Sequence, residues 1–382
     1  MVSGPIQLED ATVHKRVVTG LSLGLALLVV AALVAALPVV AASSFLGQFT
    51  KVSRIVSTVP HNGDVNPYGI VVVPRTTGRL VRGDILVSNF NDRANLQGTG
   101  RTIMELSPSG APRIQFASIS NAAVAGRCPG GVGLSTALVV LRSGWVIVGS
   151  LPTKDGTSAT ASAGCLIVLN RDGRVVETIH GGSINGPWDM TALDRGSWAE
   201  LFVTNVLNGT KAGHGAVVDH GTVVRLVLAT THFPAPVVLD ETVIGSGFPE
   251  RTDPGALVIG PTGVGLASDG TLYVADTIGS RIAAIPDAPF RASSAGTGTT
   301  VSMGAALNGP LGLVIAPNGD ILTVNAGDGN AVETTPAGVQ VATTTLDGTA
   351  GGAGLLFGLA VRPGGTGLYF VDDGTNDLRL LH

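Results

Sequence analysis

One outline recurs six times along the chain, and this repetition limits the possible folds more than any other feature. Each copy has a Gly-Pro or similar start, an apolar strand, a Gly-containing turn, a second apolar strand and a short polar residue at its end. The copies at 260–276 (GPTGVGLASDGTLYVAD) and 309–325 (GPLGLVIAPNGDILTVN) show the outline most fully. The others are 66–89, 128–150, 186–205 and 355–373. A single unit of this kind cannot bury its own apolar strands, so neighbouring copies must pack against one another.

The spacing of the copies predicts the architecture. The residue two places after the Pro position marks each copy: Gly69, Gly131, Asp189, Gly263, Gly312 and Gly358. The last two spacings, 49 and 46 residues, are close to the length of one four-stranded propeller blade, which is about 40–50 residues. The longer spacings fit the same blade with inserted loops, and third and fourth strands follow at 165–169 and 174–179. We therefore predict an all-β chain that forms a six-bladed β-propeller of four-stranded antiparallel blades.

The ends of the chain predict how the ring closes. The sixth copy has room for only three strands, of which the last is 378–382. A spare strand at 49–56 precedes the first copy, and it can supply the missing fourth strand. Closure of this kind hides the sheet edges that would otherwise pair with other chains.

Composition agrees with many short strands and argues against one class of partner. Only 13% of the residues are charged, while 54 are Gly, which supplies the tight turns. The net charge is −4, and Lys and Arg cluster nowhere beyond residues 14–16. Because binding to phosphates needs a basic surface, no nucleic-acid partner is expected.

The first 44 residues are predicted to be a signal peptide or a membrane anchor, and residues 45–382 the propeller. A basic head at 14–16 precedes an apolar run at 17–40, and small residues follow at 41–44. The run is long enough, at about 36 Å as a helix, to span a bilayer, so cleavage after Ala42 and retention as a tether both remain open. In either case we expect the propeller to be exported, either secreted or periplasmic, or anchored to the outer face of the cytoplasmic membrane.

Two cysteines, Cys128 and Cys165, lie in the exported part. In an oxidising compartment such a pair predicts a disulfide. The alternative is two buried thiols. Metal binding by two cysteines without nearby histidines is less favoured than either.

The segment 271–282, TLYVADTIGSRI, resembles the core of an NHL repeat, in which Val-Ala-Asp is followed by a polar turn and Arg-Ile. The resemblance implies a six-bladed propeller that binds protein, RNA or a small ligand. Related six-bladed propellers include the gluconolactonase/senescence-marker enzymes, which hold a divalent metal with Glu, Asn and Asp. The segment 185–189, NGPWD, is loosely similar to theirs, whereas Asn66 stands where their opening Glu would be.

Two sets of polar residues are candidates for a site. The first set ends the second strands: Asn89, Ser150, Asn205, Asp276, Asn325 and Asp373. These side chains either cap the adjoining turns or place oxygens suited to a cation such as Ca²⁺, with Asp189, Asp276 and Asp373 as weak metal candidates. The second set opens the innermost strands and is our predicted ligand-binding set: Asn66, Asn185, Trp188, Asp189 and Asn308. Asp189 is notable because the other five copies carry Gly at its position.

No catalytic motif points to one reaction. The sequence contains no Gly-x-Ser-x-Gly elbow, no phosphate-binding Gly-x-x-x-x-Gly-Lys-Ser/Thr loop and no His-Glu-x-x-His helix. The residues therefore favour a module that binds a protein or a small molecule on one face of the ring. The alternative is a metal-dependent hydrolase or lyase of the lactonase-like kind, in which a channel cation polarises a carbonyl or activates water.

Overall fold

A computed structural model describes residues 43–232, 234–349 and 354–382. These residues form six antiparallel sheets arranged as the blades of a propeller, which confirms the predicted fold class. The predicted leader and its possible tether at 17–40 lie outside the described residues. Among the helices that are described, none has the length and apolar character that a bilayer crossing requires.

The first three blades follow one another along the chain. Blade 1 contains β2 (Val65–Val72), β3 (Ile85–Asn91), β4 (Thr102–Leu106) and β5 (Arg113–Ser118). Blade 2 contains β6 (Leu134–Val140), β7 (Val146–Ser150), β8 (Cys165–Leu169) and β9 (Val175–Ile179). Blade 3 contains β10 (Pro187–Asp194), β11 (Trp198–Asn205), β12 (Val218–Ala229), β13 (Val237–Asp253) and β14 (Leu257–Ile259).

The remaining blades complete the ring. Blade 4 contains β15 (Pro261–Leu266), β16 (Leu272–Asp276), β17 (Arg281–Ile285) and β18 (Thr299–Met303). Blade 5 contains β19 (Pro310–Ile315), β20 (Ile321–Asn325), β21 (Asn330–Thr334) and β22 (Gln340–Thr345). Blade 6 contains β23 (Leu356–Val361), β24 (Leu368–Asp372), β25 (Asp377–Leu381) and β1 (Val52–Ser57). Four short 3₁₀ helices are Leu46–Gln48, Asn121–Val124, Ser158–Thr160 and Ala288–Phe290.

The ring closes as predicted, because the outermost strand of blade 6 comes from the amino-terminal side of the propeller. Strand β1 pairs antiparallel with β25, from Val52 opposite Leu381 to Ser57 opposite Asp377. Arg54 on β1 also forms an ion pair with Asp377, at 2.7 Å. The two ends of the propeller are therefore joined within one sheet.

Blade 3 departs from the predicted four strands. Its outer strand β13 is 17 residues long, and its end folds back at Pro254 and Gly255 to pair with the short β14. This hairpin extends beyond the blade, and the side-chain amide of Gln97 in blade 1 donates to the Pro254 carbonyl at 2.9 Å. The extra hairpin accounts for part of the long spacing between the third and fourth copies.

The core lies between adjacent blades and at the centre of the ring. Middle strands such as β7 and β8 are buried along their whole length, because each is covered on both faces by neighbouring blades. Cys128 and Cys165 are joined by a disulfide, with 5.5 Å between their Cα atoms, which confirms that prediction. The bond attaches the segment before β6 to the third strand of blade 2.

Candidate functional site

The innermost strands of all six blades line a central cavity of about 430 Å³. They are β2, β6, β10, β15, β19 and β23. Most of the lining side chains are Val, Leu and Ile, and they share the wall with polar atoms, since each inner strand is a sheet edge that pairs with only one other strand. An apolar concave cavity with a few polar groups is the usual form of a small-molecule site. We call this cavity the channel.

An apolar layer fills the centre of the ring at the level where the inner strands begin. The Tyr68 ring stacks on Phe357 at 3.8 Å and on Phe90 at 4.5 Å, and lies 6.5 Å from Trp188. Leu311 belongs to the same buried cluster. These side chains come from four different blades and none is more than 2% exposed. We call them the aromatic layer; it gives the channel an inner end.

Close packing between blades explains why Gly recurs at the position two residues after the Pro position of the repeat. A Cβ atom on Gly69, Gly263, Gly312 or Gly358 would come within 1.7–2.7 Å of a carbonyl oxygen of the next blade. Those carbonyls belong to Thr136, Leu311, Phe357 and Tyr68. Only glycine allows the blades to approach this closely, because real Cβ contacts of that length do not occur.

Strand pairing corrects the second copy of the repeat. Leu134 lies opposite Ser150, as Pro187 lies opposite Asn205 in blade 3, so the position equivalent to Asp189 is Thr136. Our assignment of Gly131 was wrong, since Gly131 has a φ of 91° and lies in the turn before β6. Asp189 therefore stands where four blades carry Gly and one carries Thr. At this level of the ring, the channel wall contains one carboxyl and one hydroxyl from adjacent blades.

Asp189 lies near the inner end of the channel and bridges blades 3 and 4. Its Oδ1 accepts from the Met190 amide at 2.8 Å, and its Oδ2 accepts from the Val264 amide of blade 4 at 3.2 Å. Protein atoms surround the carboxyl on nearly every side, yet the residue keeps partial exposure to the channel. This burial raises the pKa of Asp189 to about 8, although the two amide hydrogen bonds act in the opposite direction.

Thr136 is the second polar residue at this level, and the sequence pattern did not single it out. It is 3% exposed, and its hydroxyl oxygen has no hydrogen-bond partner among the described residues. Buried polar atoms in proteins nearly always have a partner, so an unsatisfied hydroxyl beside a cavity is unusual. If Leu134 is aligned with the Pro position of the other copies, Thr136 falls at the position of Asp189 and becomes a candidate from the sequence alone.

The other predicted contact residues lie on the opposite side of the aromatic layer or within it. Trp188 belongs to the layer, and its indole N–H donates to the Val258 carbonyl of β14 at 3.1 Å. The Asn185 side chain donates a hydrogen bond to the Asn208 side chain and accepts one from the Asn205 side chain. Asn66 is 3% exposed, and its Oδ1 lacks a partner among the described residues.

Asn308 lines a separate recess of about 470 Å³. The recess lies between blades 4 to 6 and the β13–β14 hairpin, which contributes an ion pair between Arg251 and Asp253 at 3.0 Å. The Asn308 side chain donates to Asp328 at 3.1 Å. The predicted set therefore does not converge on one site: Asp189 faces the channel, whereas Asn308 faces this recess.

The polar residues that end the second strands mainly serve the adjoining turns. Asn205 Oδ1 accepts from the amides of Asn185 and Gly186, and Asp276 Oδ1 accepts from the Gly279 amide. Asp276 also pairs with Arg281 at 2.8 Å while only 1% exposed. In the sixth copy the strand ends at Asp372, which pairs with Arg379, so the assignment of Asp373 to this set was one residue too late.

No group of three His, Cys, Asp or Glu side chains in the described ranges is arranged to hold a metal ion. Asp189, Asp276 and Asp373 therefore do not form such a group. Burial and, to a smaller extent, the neighbouring Asp372 carboxylate raise the pKa of Asp373 to about 6. Burial also raises the pKa of Tyr68, and Asp373 and Asp253 act in the same direction. These acids thus lie near the aromatic layer.

No family model matches the sequence, and no curated protein matches it significantly. Solved structures of similar fold include a luciferin-regenerating enzyme, 12% identical with a TM-score of 0.55 over 87% of this chain and 94% of that chain. They also include regucalcin, a calcium-binding protein from Agrobacterium tumefaciens (13% identity, TM-score 0.53, 87% and 93% covered). A gluconolactonase from Xanthomonas campestris has 12% identity and a TM-score of 0.52, with 86% and 88% covered. At these identities the likeness shows the six-bladed fold alone.

Proposed function

We propose that this chain is an exported propeller that binds a small, largely apolar molecule in its channel. The observation that carries the proposal is the cavity of about 430 Å³ that all six inner strands line and the aromatic layer ends. A cavity of this size is within the usual range of small-molecule sites, about 300–1,000 Å³. The partial exposure of Asp189 supports access through the channel to its inner part.

The neutral apolar dye N-phenyl-1-naphthylamine tests the proposal, because its fluorescence rises in an apolar site. We expect saturable binding of one dye per chain. Thr191 lines the channel two residues from Asp189 on β10, and is half-buried, so Thr191→Trp should place an indole in the cavity and abolish binding. The matched control is Thr299→Trp on the exposed face of β18, which should bind the dye as the native protein does. Equal binding by both variants would contradict a channel site.

Export is the second part of the proposal. It is supported by the leader-like sequence before residue 45 and by the Cys128–Cys165 disulfide, since disulfides persist mainly in oxidising compartments. Fractionation of the native host, followed by the intact mass of the recovered chain, tests it. A mass equal to that of residues 43–382 indicates cleavage after Ala42, and the mass of the full-length chain, recovered in the membrane fraction, indicates a tether. Recovery in the cytoplasm would contradict export.

We infer an NHL-type repeat for blade 4 on the basis of its Asp276–Arg281 pair. A second candidate function for the chain is that of a metal-dependent hydrolase or lyase. The observation that favours a cation is the unpartnered, buried Asn66 Oδ1 close to the Tyr68 hydroxyl, in the neighbourhood of Asp253 and Asp373. The described carboxylates alone do not complete a calcium set, which takes six to eight oxygens. About one bound metal per chain by elemental analysis, together with a lower melting temperature in chelator, would favour this candidate over simple binding.

A further inference from the structure

We propose that the channel ligand carries a protonated amine at one end, which binds Asp189 and Thr136, and an apolar body that fills the rest of the cavity. This inference rests on the proposed channel site and names the chemical class of its ligand. It is carried by the placement of one carboxyl and one unpartnered hydroxyl, from adjacent blades, on residues that line the inner part of the channel.

The charge distribution along the channel sets the orientation of the ligand. Only three residues with ionisable side chains line the cavity among those described: Asp189, Arg142 and Asp194. Asp194 lies five residues beyond Asp189 on β10, or roughly 16 Å along the strand, and it accepts from the Arg142 amide. Arg142 and Asp194 therefore lie together at the far end. The part of the channel near the aromatic layer has an acid and no base.

The hydrogen-bonding capacity of Asp189 and Thr136 matches an ammonium group. Each Asp189 oxygen accepts one backbone N–H and keeps a further lone pair, and the Thr136 oxygen has no partner. An ammonium has three donors and no acceptor, so it can use these oxygens, and its charge stabilises the ionised form of a carboxyl that burial keeps protonated at neutral pH. A carboxylate ligand would find no cationic partner among the lining residues at this end of the channel. A metal ion would lack most of the oxygens that it needs.

The apolar wall explains why the body of the ligand should also be apolar. Ile70, Leu138, Val264, Leu313 and Leu359 line the channel from five different blades. Polar groups that contact these side chains would lose their bonds to water without replacing them, so the part of the ligand that lies against them should be apolar. An alkyl or aryl amine satisfies both parts of the site, since its cationic end is paired and its remainder contacts apolar side chains.

The test compares three probes that share a six-carbon chain and differ in the head group: hexylamine, 1-hexanol and hexanoate. At pH 9 the first is cationic, the second neutral and the third anionic, and Asp189 is ionised because this pH lies above its pKa of about 8. We would measure the dissociation constant of each by displacement of N-phenyl-1-naphthylamine and by calorimetry. We expect hexylamine to bind at least about tenfold more tightly than hexanol, as hydrogen bonds to charged groups are the stronger ones, and hexanoate to bind most weakly.

Variants locate the head group. Asp189→Asn should lower hexylamine affinity about tenfold and leave hexanol affinity unchanged, and Thr136→Val should lower hexylamine affinity to a smaller extent. The control is Asp172→Asn, the same change at an exposed turn, which should alter neither. If Asp189→Asn does not fold cooperatively, the order of the three probes on the native protein decides the question.

The outcomes separate the two proposals. Binding of hexanol or hexanoate as tightly as hexylamine, with all three displacing the dye, would overturn the amine and leave the channel site standing. Failure of the dye and of all three probes to bind would overturn both the channel site and the amine. A hexylamine preference that persists in Asp189→Asn would also overturn the assignment of the amine to this carboxyl.

Discussion

At the scale of single residues, the level of the ring that carries Asp189 is tightly packed between adjacent blades. Four blades have Gly there because the next blade's backbone occupies the space that a Cβ would need. Blades 2 and 3 differ, with Thr136 and Asp189. The position that permits close packing in four blades thus carries a polar side chain in the other two.

The close approach predicts a steric effect that can be measured. A Cβ on Gly312 would lie 1.7 Å from the Phe357 carbonyl oxygen, so Gly312→Ala must move one blade against its neighbour. We expect it to lower the free energy of unfolding by about 1–3 kcal/mol. Gly348→Ala is the control, because the nearest atom to its added Cβ is 3.7 Å away. Denaturation of both variants checks the prediction, and equal stability would contradict it.

Asp189 predicts a pH dependence of stability with a definite sign. Its pKa is about 8 in the folded protein and 3.8 as an ordinary value, so the folded state keeps a proton that the unfolded state releases. Stability should therefore fall as the pH rises from about 4 to about 8, by at most about 1.4 kcal/mol per pH unit, and this contribution should be constant above 8. Arg142 and Asp194 are the other charged residues of the channel wall.

Comparison with Asp189→Asn isolates this contribution. The stability of the variant relative to the native protein should increase across the same pH range, because Asn does not titrate. Thermal melts from pH 5 to 9 measure it, with Asp172→Asn as the control for loss of a carboxyl at the surface. A difference between variant and native protein that is the same at every pH would show that Asp189 is not buried as described.

At the scale of strands and turns, the sequence predicted most of what local pattern controls. The paired strands of all six copies were found because apolar strands and Gly turns leave a clear signal. The second copy was misaligned because Pro129 and Gly130 imitate the start of a repeat, while the true inner strand begins at Leu134 without Pro. The β13–β14 hairpin was missed because its pairing depends on the length of β13.

The candidate site was harder to predict than the strands, for a physical reason. Asp189 lies two residues after the Pro position of its copy and Asn308 two residues before it, and the aromatic layer separates the spaces that they line. That layer is built from Tyr68, Trp188 and Phe357, which are far apart in sequence. Repeat position alone gives the level of a residue in the ring, but the neighbouring blades decide which space it faces.

At the scale of the whole molecule, the ring is held closed by two contacts of the amino-terminal segment. Strand β1 completes blade 6, and the residues before it are bound by Glu333 of blade 5. The Glu333 carboxylate accepts from the Ser44 hydroxyl and the Phe45 amide at 2.6 Å each, and from the Leu46 amide at 2.7 Å. Phe45 and Leu46 are buried against blades 5 and 6. A single carboxylate thus links two blades through the segment that closes the ring.

Glu333→Gln tests this link. Burial opposes ionisation of Glu333, yet the hydrogen bonds from Ser44, Phe45 and Leu46 hold its pKa below its ordinary value of 4.5. The contribution of Glu333 itself should therefore be lost as the pH falls through its folded pKa. Burial and the neighbouring Glu333 raise the pKa of Asp320 to about 6, so ionisation of Asp320 opposes this contribution as the pH rises from about 4 to about 6. At pH 7 we expect the variant to be less stable by about 1–2 kcal/mol, since an amide replaces the charged acceptor of three donors, and relief of the repulsion between Glu333 and Asp320 offsets part of this loss. Glu177→Gln on β9 is the control, because Glu177 accepts only from the adjacent Thr178 amide. If both variants melt alike, or if the native protein gains stability below pH 4 relative to Glu333→Gln, closure of the ring does not depend on this carboxylate.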